Sequence, residues 1–394
     1  MSAAARTPSS STPDALDAEG WNLTRYDPAT FDPAKGHLES TFIKLNDPSA
    51  PRALWVKLTV FAPTTRTSGG PAYERGRTVA EAWAIAFDHT GEEDAHAGPP
   101  SYRDGPTHKL PAPRHVAVKQ TVPVEEAHLA RERPVRLEVA SVKYETIAGD
   151  ERQRRRLVGE VVHGEARVAF DVTLTPRDLS PLVHFPHPRL YRGAFPKTKL
   201  VSPIVDALAE GEVTVVSATG TRRWEVTSWP AMQGHNWGTG HADTYAWAHV
   251  NAWNEPEGRE VVLEGFSARV RLGKKLLTPL VTMIAVRHRG VRYEATLREM
   301  LRTRGSIEGL RRWSFSARQA DATIEGSLSL RDDDIVGLYY PNPDGEMTYC
   351  LNSKIARATL RFCAHDRAPL MLTSDGAALE IGTHDAAHGA RMYV

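Results

Sequence analysis

From residue 241 to residue 253 the chain alternates strictly. The odd positions are His241, Asp243, Tyr245, Trp247, His249, Asn251 and Trp253, and the even ones are Ala242, Thr244, Ala246, Ala248, Val250 and Ala252. A period of two predicts a β-strand with two unlike faces. The small face can lie close against a neighbour, while the other carries every large, polar or titratable group. Water-facing surfaces rarely gather two Trp and a Tyr with two His and an Asp. This face therefore reads as the wall of a ligand cavity. The alternative is a half-buried aromatic strand beneath a loop, its polar groups satisfied locally.

The rest of the chain is patterned in short strands. Residues 54–61 form one, ended by Ala62-Pro63. In 78–88, Val79, Glu81, Trp83, Ile85 and Phe87 alternate with small residues and predict another. Further strands are predicted over 115–120, 135–142, 157–163 and 166–175, with a tight turn at His163-Gly164, then over 212–216 and 223–227. Beyond the central stretch they continue over 261–272, 279–288, 291–295, 312–317, 322–330, 335–340, 346–362 and 378–382. Asn342-Pro343-Asp344-Gly345 is a strong turn signal. Helical patterns are few and short, at Ser202 to Ala209 and Thr296 to Arg302. Residues 1–19 read as a disordered leader and 90–113 as an irregular connection. The Pro-rich passage 176–203 is too apolar for a free linker and is expected to pack over a barrel mouth. Many short strands with Gly/Pro turns give an all-β fold, sandwich or barrel. The lack of a fixed-period repeat disfavours a propeller.

Length and composition narrow the function. At 394 residues, two domains are expected. A net charge of +1 offers no basic field for nucleic acid. Cys350 and Cys363 stand in no metal spacing and build no disulfide framework. With no signal-peptide core and no membrane-length apolar run, the chain is expected to be cytoplasmic, any membrane contact being peripheral and for substrate access.

The hairpin after the central strand adds chemistry. In 261–272 the even face holds Val262, Glu264, Phe266, Ala268, Val270 and Leu272, so one carboxyl stands in an apolar row. If Trp253 pairs with Glu260, His249 lies opposite Glu264 and Phe266 opposite Trp247. A slip of two residues brings Asn251 or Trp247 to Glu264 instead. Burial raises a carboxyl's pKa, and a protonated Glu264 beside aromatic faces suits protonation of an alkene. A buried Glu paired to Arg or His, with no chemistry, is the other reading. His235, His241 and His249 with Asp243 match no standard metal spacing, so no metal is expected. With no P-loop, GxGxxG or GxSxG element either, no cofactor is expected.

Gly234-His235-Asn236-Trp237-Gly238 followed by an aromatic strand resembles the carotenoid 1,2-hydratase (hydroxyneurosporene synthase) and tocopherol cyclase-like superfamily. So do Leu54-Trp55-Val56-Lys57, Ala82 to Asp88, and Tyr340-Pro341-Asn342-Pro343-Asp344-Gly345 through Ala358. The resemblance implies two lipocalin-like antiparallel β-barrels side by side, over 20–232 and 233–394. Hydratase-type members carry Tyr-x-Asp where this chain has Val262-Leu263-Glu264. The carboxyl is kept and the phenol is not, and Tyr245 is a candidate to take that role. The expected function is cofactor-free hydration or cyclisation of a long apolar isoprenoid or polyketide. Glu264 donates the proton, and His235, Asp243 and His249 tune or relay it. Trp237, Tyr245, Trp247, Asn251, Trp253 and Phe266 hold the substrate. A lipocalin-like carrier and a pericyclase that only orients a polyene are the alternatives.

Overall fold

The computed structural model describes residues 16–65, 76–90, 114–185, 187–272, 276–365 and 367–394. The strands of the first half are β1 His37–Asn46, β2 Arg52–Ala62, β3 Val79–Asp88, β4 Val116–Pro123, β5 Arg136–Val139, β6 Val142–Thr146, β7 Arg155–His163, β8 Ala166–Asp178, β9 Leu182–Val183, β10 Thr198–Ser217 and β11 Gly220–Gly238. The next are β12 Thr244–Val250, β13 Val261–Arg269, β14 Arg271–Leu272, β15 Leu276–Leu277, β16 Val281–His288 and β17 Val291–Glu294. The last are β18 Arg304–Glu308, β19 Arg312–Arg318, β20 Ala322–Ser329, β21 Val336–Pro341, β22 Met347–Ala364 and β23 Leu370–Thr383. Among the described residues the α-helices are α1 Ala18–Asn22, α2 Arg189–Arg192 and α3 Leu297–Met300. No described helix is long and apolar enough to cross a membrane.

The fold is all-β, as expected, and consists of two antiparallel barrels side by side. The first sheet runs β4-β3-β2-β1-β11-β10-β8-β7-β6-β5, with β9 beside β10, and it curls until β4 packs against β7 and β8. The second runs β17-β16-β13-β12-β23-β22-β20-β19-β18, with β21 beside β22. The first sheet continues through Gly238, so residues 233–238 pair there and not in the second unit. We place the boundary at 239–243.

Alternation explains how the sheets meet. On β2 the even residues Leu54, Val56, Leu58 and Val60 fill the first barrel's core, together with Ala80, Ala82, Ala84 and Ala86 of β3. On β12, Ala246, Ala248 and Val250 fill the second. The opposite faces of these strands turn towards each other. Phe42, Trp55, Trp83, Phe87, Trp247, Leu338, Tyr340 and Ile355 form a third apolar cluster between the barrels.

Several local expectations change. Ser202 to Ala209 is strand, part of β10. Register shifts between Val201 and Ala207 break its period of two, which is why the spacing looked helical. The strand expected over 135–142 is a hairpin, turned at Ala140, whose φ is 51°. The Pro-rich passage is partly regular, holding the end of β8, β9, α2 and the start of β10. Of the expected leader, residues 18–19 lie in α1, while 1–15 and the 91–113 part of the irregular connection lie outside the described residues.

Candidate active site

A cavity of about 270 Å³ lies between the two barrels. The first barrel supplies Phe42, Trp55, Lys57, Leu200 and Asn236. The second supplies Tyr245, Trp247, Phe266, Ala268, Tyr340 and Glu380. Phe185, Leu190, Phe195 and Pro196, from the Pro-rich passage, also line it. That passage therefore covers the gap between barrels and not a barrel mouth. Most of the wall is aromatic or aliphatic, with a few polar groups, the usual make-up of a small-molecule site.

The hairpin register is one of those read from the sequence: His249 pairs with Glu264 and Trp247 with Phe266. Tyr245 and Trp247 face the cavity, and Phe42 meets Trp247 edge-on at 5.4 Å. Gly382 stands opposite Tyr245 in the register. A Cβ there would lie 1.9 Å from the ring's Cε1, so only glycine lets the ring lie flat over β23. Gly382→Ala is expected to push Tyr245 aside and cost about 1–3 kcal/mol through overpacking. Denaturant unfolding checks this, and an unchanged midpoint would show that the ring moves freely.

Glu264 is buried but does not line the cavity. It sits behind Trp247, whose indole Nε1 donates to Oε1 at 3.1 Å. Ser202 Oγ donates to the same oxygen at 2.8 Å, and His184 Nε2 lies 3.0 Å from it. Burial raises the carboxyl's pKa, but its close pairing and hydrogen bond with His184 and the hydrogen bond from Ser202 outweigh it and hold the group down to about 2. The expected balance, with burial winning, is reversed. Glu264 is a carboxylate at neutral pH and has no proton to give. It anchors a cavity wall.

The other expected site residues divide. His249 is buried, its Nε2–H donates to the Val205 carbonyl at 2.8 Å, and burial with nearby Lys44 pushes it down to about 3. It is a neutral structural imidazole. His235 belongs to the first sheet and meets the Trp21 carbonyl at 2.6 Å and Glu39 at 2.8 Å. Asp243 precedes β12, accepts from Thr244 and does not line the cavity. Trp237 packs with Tyr191 and Trp21 under the Arg25 guanidinium, away from the cavity. Asn251 bridges Lys44, Asp206 and the Ala231 carbonyl between the sheets. Trp253 donates to the Val261 carbonyl and packs on the second core. Of the ten, Tyr245, Trp247 and Phe266 line the cavity.

The titratable wall is different from the one expected. Lys57 lies 3.8 Å above the Tyr340 ring, and burial lowers its pKa to about 8. Glu380 accepts from Lys354 Nζ at 2.7 Å and from the Cys350 thiol. Burial raises the Tyr245 and Tyr340 phenols well above their usual value, so both are neutral donors. His241 stacks on Tyr340 at 5.3 Å, and its Nδ1 lies 2.9 Å from Asn342 Oδ1. Burial, and then Lys57, lower it to about 4, so it too is neutral. Lys57 and Glu380 were missed. The available signal was the same alternation as at the centre: aliphatic residues on one face of 54–61, and Trp55 with Lys57 on the other.

Fold and site define a double antiparallel β-barrel with an aromatic-lined cavity between the barrels. Residues 199–383 match the model of a family described as tocopherol cyclase-like. The resemblance read from the sequence holds over that span, which includes Tyr245, Trp247, Phe266, Tyr340 and Glu380. No curated protein matches the chain. Three solved structures are similar to it. A Nitrosomonas europaea protein described as AttH is 11% identical with a TM-score of 0.48, over 92% of this chain and 99% of that one. Kievitone hydratase from Nectria haematococca is 10% identical with a TM-score of 0.46, over 89% and 90%. CghA, solved with Sch210972, is 12% identical with a TM-score of 0.48, over 89% and 88%.

Proposed function

We propose that this protein is a hydratase- or cyclase-type enzyme that converts an apolar small molecule, isoprenoid or polyketide in character, in the cavity between its barrels. The observation that carries this reading is the cavity itself: an aromatic enclosure with Lys57, Tyr245, Tyr340 and Glu380 in its wall. The family match over 199–383 supports the reaction class. Ring faces shield a developing cation from water. The neutral phenols can donate hydrogen bonds and the Lys57 ammonium, its pKa lowered to about 8, can donate a proton to the substrate, while Glu380 can balance positive charge. Binding in one folded shape supplies the orientation that ring closure needs.

Incubation with a panel of prenylated and polyene compounds, followed by mass spectrometry, tests the proposal. Hydration adds the mass of one water. Cyclisation leaves the mass unchanged and shifts the retention time. Recovery of every bound compound unchanged would make the protein a carrier and end the enzyme reading.

A further inference from the structure

Lys44, Lys57 and Lys354 are all buried between the sheets, but they are not treated alike. Lys44 Nζ donates to Asn46 Oδ1 at 2.7 Å and Asn251 Oδ1 at 3.0 Å. Lys354 Nζ donates to Asn352 Oδ1 at 2.5 Å and Glu380 Oε1 at 2.7 Å. Lys57 is 6% exposed and lines the cavity, yet no oxygen among the described residues accepts from its Nζ. Its neighbours are rings: Tyr340 at 3.8 Å, Trp83 at 5.6 Å and Trp55 at 5.9 Å. Ring faces stabilise a cation only in part, and they accept none of its N–H bonds in the manner of an oxygen.

The nearby carboxylates are engaged elsewhere. Glu380 holds Lys354, and Glu81 accepts from the Trp83 indole at 3.1 Å and pairs with Lys119 at 3.7 Å. On the same face of β2, the indole N–H of Trp55 is buried without a partner. Two donors without a protein acceptor, one of them cationic, thus belong to a mostly apolar enclosure whose carboxylate, Glu380, is taken by Lys354. Buried donors normally have acceptors, so the missing acceptor belongs to what the cavity holds.

We propose that Lys57 is the docking point for an oxyanion, and that the native ligand is an apolar molecule bearing one carboxylate or enolate oxygen. This rests on the cavity being the ligand site, as proposed above. The ammonium fixes the head of the ligand near Tyr340, so the apolar body extends towards Trp247, Phe266 and Phe185.

The test uses the fluorescent apolar probe N-phenylnaphthylamine, displaced in parallel by decanoate and by decanol. In the native protein decanoate is expected to displace the probe at a lower concentration than decanol. Lys57→Met keeps the length of the side chain and removes the charge. It should weaken decanoate about tenfold, the scale of one charge-assisted hydrogen bond, and leave decanol unchanged. Lys57→Arg should restore the preference. Equal displacement by the two competitors in the native protein would overturn the proposal, and that comparison needs no variant to fold. A decanoate preference that survives in folded Lys57→Met would overturn it as well. Failure of the probe and both competitors to bind the native protein would reject the cavity as a ligand site, and the role of Lys57 with it.

Discussion

Ala268→Trp should cut turnover at least about 100-fold, the loss that follows when a substrate is displaced by about an ångström from its reacting position. Ala268 lies opposite Tyr245 on β13 and its methyl faces the cavity. An indole there occupies much of the 270 Å³ available. The residue is half-buried at the edge of empty space, so the fold should tolerate the change and the far-ultraviolet circular dichroism should stay the same. Steady-state kinetics on a substrate from the panel gives the number. Full activity in a folded Ala268→Trp protein would place the reaction somewhere else.

The second large effect concerns Glu264 and is on stability. Glu264→Gln leaves His184, Ser202 and the Trp247 indole around a neutral amide. Replacing a carboxylate that accepts three buried hydrogen bonds through one oxygen with an amide costs about 1–3 kcal/mol. An acid role predicts something different: a variant as stable as the native protein, and inactive. Chemical unfolding at neutral pH separates the two. The carboxyl's folded pKa is held down to about 2 from an ordinary 4.5, a shift worth about 3 kcal/mol. A depressed carboxyl adds stability above its unfolded pKa and loses it as pH falls through the folded value. The native protein should therefore lose this contribution between pH 4.5 and about 2, and Glu264→Gln should lack that part of its acid sensitivity. An identical acid profile for both proteins would refute the pairing.

The fold was legible because strand alternation is local. The central strand, 54–61 and 78–88 each show a small or aliphatic face and a large, mixed face, and the structure uses the first for a barrel core and the second for the contact between barrels. What alternation does not tell is which neighbour a face meets. Gly234 to Gly238 belongs to a different strand from Thr244 to Val250, with a break at 239–243. Facing was set separately in each, so Asn236 reached the cavity while His235 and Trp237 turned away. The Glu264 hairpin was readable in register but not in charge. Its partner His184 is 80 residues distant and arrives through the Pro-rich passage, which has no periodicity to place it. Lys57 was quoted in a fold motif, yet a lone lysine in a strand ordinarily points to water. Only the facing barrel, with Tyr340 and Glu380, reveals it as part of the wall.

The most direct measurement of the central claim is the fate of solvent hydrogen when a substrate from the panel is converted in deuterium oxide. Hydration, or cyclisation begun by a proton, forms a new carbon–hydrogen bond from an exchangeable donor. The account predicts one deuterium fixed on carbon in the product formed by the native protein, and at least about 100-fold slower product formation by Ala268→Trp. A product free of carbon-bound deuterium, or unchanged starting compound from the native protein, would contradict it.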